Sequence, residues 1–286
     1  MKALVFAGVA AALAFAAPAI AQEAPVSSPI TIGEAVTVAT LGAERSLNIV
    51  LPRGYENSEE GYPIVLVLDG GIDQDLFLAL GIERWNQLWG RSQPAILVGV
   101  ETVDRQRELL PPTQVAEERE RYPTAGESAA FRAWLGDTVL PMLRERYRHD
   151  GRALIIGESA AGHFVVETWL AQPDLFDGYA ALSPSLQWDD RALAQAAPVE
   201  DGTERPTLFL SLADEGGDTE AGALELREKL GTRFCFADYR QSHVRHANSM
   251  HQLLPQALQY LLPTEADWLA EYGLITGCET LETAAD

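Results

Sequence analysis

The sequence is short of positive charge. Lysine and arginine together number 21 against 42 aspartates and glutamates, for a net charge of −21. Such a chain repels nucleic acid and anionic lipid headgroups, so neither is an expected partner. The acidity favours solubility and names no substrate. Cysteine is scarce: Cys235 and Cys278 are the only two. One disulfide is the most they can form, and an oxidising compartment permits it. The alternative is a buried thiol at Cys235, inside an apolar strand, and an unpaired Cys278 in the tail. No apolar run after residue 21 is long enough to span a bilayer. Internal repeats are absent, and nothing marks a second domain.

The one long apolar run stands at the start. Met1-Lys2 leads into Ala3–Ala17, and Ala19-Ile20-Ala21 supplies small residues at the positions a signal peptidase reads. Residues 1–21 are therefore expected to be a signal peptide, cleaved before Gln22. The run is short for a spanning helix, and Pro18 interrupts its end. Export follows, to a periplasm or to the medium. Residues 22–29 read as a flexible leader, and 30–286 as one domain, long enough to build a core without staples.

Two early strands are expected at Ile32–Thr40 and Ser46–Leu51. Short apolar runs follow at Pro63–Leu68, Pro94–Val100, Ala153–Ile156, Tyr179–Leu182, Thr207–Leu212 and Arg233–Tyr239. Helical patterns separate them, including residues 74–90 and a stripe of Phe131, Trp134, Leu135, Val139, Met142, Leu143 and Tyr147 at helical spacing. Such a stripe is ordinary core packing. Strands alternating with amphipathic helices imply a mostly parallel central sheet with helices on both faces. The early pair, with no helix between its strands, suits an antiparallel edge. Residues 102–127 are polar and proline-punctuated, and read as one long loop of the kind that often carries function.

Strand 153–156 runs into Gly157-Glu158-Ser159-Ala160-Ala161-Gly162, and a helix over 160–171 follows. This is the strand–turn–helix context of a nucleophile elbow. Small residues must flank the serine where the backbone is crowded, and the helix N-terminus turns its amides toward the chemistry. A serine after a strand often does no more than cap the next helix. The small residues at 157, 160, 161 and 162 together favour a nucleophile, Ser159.

In an elbow of this kind an acid and then a histidine follow the serine along the chain. Five histidines exist. His149 precedes the strand and His163 lies on the helix behind the serine, which suits structural or exposed roles. His243, His246 and His251 follow the last strand. His246 is the best-placed base, His243 the alternative and His251 a third. The H-x-x-H spacing of His243 and His246 lacks the further ligand of a metallohydrolase, so no metal is expected. For the acid, strand 207–212 ends in Ala213-Asp214-Glu215-Gly216-Gly217. Glu215 is the candidate, with Asp214 its alternative and Asp189 or Asp190 behind them. A plain solvated acidic loop is the competing reading. An oxyanion hole needs two amides. Ala160 is one candidate. The other comes from Asp69-Gly70-Gly71, with Gly71 ahead of Gly70.

From these points the chain resembles the putative-esterase family of α/β hydrolases, the group of esterase D and the siderophore esterases. The resemblance spans about residues 44–262. It rests on Pro52-Arg53-Gly54-Tyr55, Leu68-Asp69-Gly70, Asp104-Arg105 with Arg107, and Gly157–Gly162. It continues in Pro173-Asp174-Leu175-Phe176-Asp177, Ser183-Pro184-Ser185-Leu186, and a final stretch ending in Tyr260-Leu261. It implies the α/β-hydrolase fold and hydrolysis of a small carboxylic ester through an acyl-enzyme, and its spacing to the final helix favours His246. Two departures stand out: Ala161 replaces a common glycine, and Ser242–His251 differs from the usual His-Gly-Ser. No cofactor is implied. An acyltransferase using the same acyl-enzyme is the alternative, and a non-catalytic binding protein on the scaffold is another. Arg105 and Arg107 read as solvated surface arginines that could also meet an anionic substrate. Trp188 reads as pocket wall or as core.

Overall fold

The computed structural model describes residues 27–199, 204–265 and 268–274. The chain divides into two units, Met1–Ile32 and Gly33–Asp286. In the first, residues 27–32 carry no regular structure and are exposed. The expected signal peptide lies outside the described residues.

The second unit opens with β1 (Glu34–Thr40) and β2 (Ala43–Val50), an antiparallel hairpin whose turn residues Leu41 and Gly42 both have positive φ. Then come β3 (Tyr62–Leu68), α1 (Leu76–Leu88) and β4 (Ile96–Val100). Residues 102–127 are not one loop. They hold α2 (Arg105–Leu109) and α3 (Ala116–Arg121). Both are too short to show a period, and α2 starts because the Asp104 carboxylate accepts the Arg107 N–H. The 131–147 stripe forms α4 (Ser128–Trp134) and α5 (Leu140–Arg146), joined through a π-helical turn over Leu135–Val139.

Next are β5 (His149–Glu158), α6 (Ala160–Ala171), β6 (Gly178–Leu182), α7 (Trp188–Ala196) and β7 (Thr207–Leu212). The chain ends its described part with α8 (Gly217–Leu230), β8 (Cys235–Asp238), α9 (Ser249–Leu261) and α10 (Trp268–Glu271). Among the described residues the sheet has eight strands, in the order β1-β2-β4-β3-β5-β6-β7-β8. The first two pairings are antiparallel and the rest parallel.

Both faces of this sheet are covered, which is why its strands read as unbroken apolar runs. Alternation sorts them. Ile64, Leu66, Ala153 and Ile155 pack on one face with Phe131, Phe164 and Trp169. Val65, Val67, Leu154 and Ile156 pack on the other with Leu253, Leu254 and Leu258 of α9. Each valine, leucine, isoleucine or phenylalanine among them contributes about 1.5–3 kcal/mol on burial. An ion pair pins α2 to the sheet: Arg45 of β2 meets Glu108 at 2.6 Å, with both side chains buried. The Arg45 guanidinium also lies over the rings of Phe131 and Trp134. Cys235 is buried in β8 and disulfide-bonded. Cys278 lies outside the described residues.

Candidate active site

Strand β5 stops at Glu158 and α6 begins at Ala160, so Ser159 must turn the chain in a single residue. It does so at φ 61° and ψ −119°, a backbone state that L-residues rarely adopt. Its N–H donates to the Leu182 carbonyl at 3.0 Å, and its own carbonyl accepts the N–H groups of His163 and Ser185, each at 2.9 Å. The crowding explains the small neighbours. A Cβ on Gly157 would lie 2.5 Å from the Ala161 backbone, and one on Gly162 would lie 3.0 Å from Pro184 Cα. Ala161 is fully buried and fits with its one methyl group.

His246 opens a 3₁₀ turn, His246–Asn248, between β8 and α9. Its Nε2 lies 2.9 Å from Ser159 Oγ, and its Nδ1 lies 3.1 Å from Glu215 Oε2. The three side chains sit in line, each beyond the C-terminal end of a different parallel strand. The hydrogen bond that the imidazole donates to Glu215 holds its pKa above the ordinary value, against burial, which pulls it down. Ser185 Oγ is 3.3 Å from Ser159 Oγ.

The other candidates are placed elsewhere. Asp214 pairs with the Arg245 guanidinium. His243 and His251 are exposed, and His251 lies near Asp75. His149 accepts the Gly151 N–H. His163 is fully enclosed, and burial pushes its pKa down to about 4, so it stays neutral. The Asp189 carboxylate accepts from Thr113 Oγ1 and the Gln114 N–H, tying α7 to the segment before α3. Asp189, Asp190 and Arg191 all have left-handed backbone. The Gly70 N–H donates to the Val100 carbonyl, and the Gly71 N–H donates to Gln74 Oε1 at 2.9 Å. Both amides are therefore taken up. Ala160 is the first residue of α6, where an N–H has no intrahelical acceptor.

Ser159, Ala160, His246 and Glu215 line a cavity of about 270 Å³. Its far wall is Leu110, Tyr122 and Trp188. The two rings pack 5.9 Å apart, and the indole N–H donates to the Pro111 carbonyl. Trp188 is thus a cavity wall. A larger hollow against Trp85, Trp89 and Trp268 holds none of these polar side chains.

Arg105 is half-buried rather than freely solvated. Its Nε donates to Asp69 Oδ2 at 2.7 Å and its Nη2 to the Glu158 carbonyl at 3.2 Å, which brings the guanidinium onto the cavity. Arg107 turns away and pairs with Glu127. Sequence reasoning kept Arg105 only as an alternative contact for an anionic substrate and did not foresee its partners or the place of Ser185, because those partners are distant in sequence. Among the described residues no group of three or more His, Cys, Asp or Glu side chains is arranged to hold a metal ion.

Comparison with known proteins identifies the family. The model of a family described as "Putative esterase" matches residues 38–216. The chain belongs to that esterase family. Ferri-bacillibactin esterase BesA of Bacillus subtilis is 29% identical over 143 residues, 45% of this chain and 50% of that protein. The chain thus spans about half the length of this curated relative. An IroE-like serine hydrolase from Shewanella oneidensis superposes with a TM-score of 0.70 at 24% identity, over 80% of each chain. Siderophore hydrolase EstB from Aspergillus nidulans gives 0.68 at 20% identity, over 84% of this chain and 99% of that one. These likenesses establish the α/β-hydrolase fold for this member of the esterase family.

Proposed function

We propose that this esterase-family protein is a serine hydrolase that cleaves small carboxylic esters through an acyl-enzyme on Ser159. The observation that carries the reading is the unbroken line from Ser159 Oγ to His246 Nε2 and from His246 Nδ1 to Glu215, at 2.9 and 3.1 Å. With Nδ1–H donated to the carboxylate, Nε2 is left as an acceptor for the serine proton. Ser159 Oγ attacks the ester carbonyl while His246 takes its proton. The Ala160 N–H faces the developing oxyanion. Gly71 can join it only if Gln74 releases the Gly71 amide. The imidazolium then returns the proton to the leaving alcohol. Water, activated by the same histidine, clears the acyl group.

The cavity, at about 270 Å³, is smaller than sites that engulf drug-sized ligands. It suits one acyl portion against Tyr122 and Trp188, with the alcohol portion directed outward. The likeness to a ferri-bacillibactin esterase and to a siderophore hydrolase points to a siderophore ester as the natural substrate. The His246 side chain is 44% exposed, so water reaches the base. That favours hydrolysis over acyl transfer to another alcohol. Export is part of the same reading. It is supported by the apolar run ending in Ala19-Ile20-Ala21 and by the disulfide state of Cys235. Among the described residues no helix is long and apolar enough to cross a membrane.

Labelling with a fluorophosphonate probe tests the proposal. The wild type should label, and Ser159→Ala and His246→Ala should not. Equal labelling of the Ser159→Ala protein would sink it.

A further inference from the structure

One largely buried carboxylate beside the nucleophile has no part in the chemistry above. Glu158 ends β5, directly before Ser159. Its Oε1 accepts the Ser249 hydroxyl at 2.6 Å. Ser249 is fully buried at the start of α9, just past the turn that carries His246. The Ser249 hydroxyl has one proton and two acceptors in reach, Glu158 Oε1 and the His246 carbonyl at 2.9 Å. That carbonyl is already served by the Ser249 backbone N–H. The hydroxyl proton is therefore directed to Glu158, in a short O–H···O hydrogen bond.

The charged groups facing Glu158 come from three further segments. Arg105 of α2 donates to its backbone carbonyl, Asp75 lies just ahead of α1, and His246 lies across the site. Asp75 in turn faces Asp69, Arg105 and His251. Burial, helped by Asp75, holds the Glu158 pKa above its ordinary value, and Ser249, His246 and Arg105 limit that rise by favouring the charged form.

We infer that Glu158 is a positioning residue for the base: with Ser249 it braces the residue before the nucleophile against the turn carrying His246, and its carboxylate supports the imidazolium. The inference rests on the serine-hydrolase reading. The brace runs beside the Ser159–His246 hydrogen bond and joins the same two segments. It therefore sets the distance across which the proton moves. A misplacement of about 1 Å at such a point can cost about 100-fold in rate. The Glu158 charge also counts among the influences that raise the His246 pKa.

The test uses Glu158→Gln, Glu158→Ala and Ser249→Ala in the full chain, with p-nitrophenyl acetate as substrate. Steady-state kinetics are taken across pH 5–9, alongside thermal melts. All three variants should lose kcat with KM little changed. Glu158→Gln should lose least, because its amide oxygen still accepts the Ser249 hydroxyl. The acid limb of kcat/KM should move to lower pH in both Glu158 variants and stay put in Ser249→Ala. The Glu158→Ala/Ser249→Ala double variant should be no slower than the slower single one. If Glu158→Ala does not fold, Glu158→Gln carries the test alone through its acid limb. An acid limb unmoved or raised in Glu158→Gln overturns the inference, as does wild-type kcat in Ser249→Ala. Ser159→Ala keeps the two readings apart. Activity surviving in that protein removes the serine-hydrolase reading, whereas a dead Ser159→Ala beside wild-type Glu158 variants removes this inference alone.

Discussion

Glu215→Gln separates the chemistry of the site from its stability. Glu215 Oε2 accepts the His246 Nδ1–H at 3.1 Å, and its side chain is only 10% exposed. The other carboxylate oxygen, Oε1, is buried without a hydrogen-bond partner among the described residues. Glutamine keeps the shape and removes the charge. The imidazolium formed during attack then loses its carboxylate, and the new amide can turn the ring into the wrong tautomer. Loss of the acid in serine triads costs about 10⁴-fold in kcat, or about 5 kcal/mol.

Stability runs the other way at high pH. Because Glu215 raises the His246 pKa, the pair stabilises the fold fully below the ordinary value of 6.5, and that stabilisation fades as pH rises through the raised value. Well above it, the half-paired carboxylate is a burial cost without an imidazolium to offset it. At pH 9 the expected result is kcat for p-nitrophenyl acetate lower by roughly 10³–10⁴-fold, with Tm unchanged or higher. Below pH 6 the variant should melt lower than the wild type. Wild-type turnover in Glu215→Gln would refute the reasoning, and so would a fall in Tm at pH 9. Asp214→Asn is the control. It breaks an exposed pair with Arg245 and should leave kcat within about twofold.

Three further outcomes follow from the packing. Gly157→Ala places a methyl group 2.5 Å from the Ala161 backbone, which cannot step aside; a loss of about 1–3 kcal/mol in urea unfolding is expected, with slower fluorophosphonate labelling. Glu108→Ala strands the Arg45 guanidinium inside the protein and should cost about 3–5 kcal/mol by the same measurement, whereas an exposed pair such as Arg146–Glu34 should cost under about 1 kcal/mol when broken. Trp188→Ala opens the far wall of the cavity, so the preference between acetyl and bulkier acyl p-nitrophenyl esters should shift toward the larger, read as a ratio of kcat/KM values.

The elbow was legible because crowding leaves a local trace: only small side chains fit at 157, 161 and 162, and they stand together in the sequence. The parallel sheet was legible because its strands are apolar on both faces. Glu215 and His246 were approachable because each follows a strand by a short loop. What could not be read depends on partners far along the chain. Arg105 turns inward because Asp69 and the Glu158 carbonyl receive it. The Gly71 amide is taken up by a glutamine three residues on, and nothing in the spacing announces that bond. The helices α2 and α3 are too brief to show a period, and one buried ion pair decides where α2 sits.

Among the described residues the sheet order places β8 at an edge, paired with β7 alone. The nucleophile stands on a central strand, while the base hangs from this border. Amide hydrogens of β8 and the turn after it should therefore exchange with solvent sooner than those of β5, since edge elements open locally at lower free energy than the core. Each such opening would carry His246 away and leave Ser159 in place. On heating, turnover should then fade reversibly before the body of the protein melts, and return on cooling without refolding of the core.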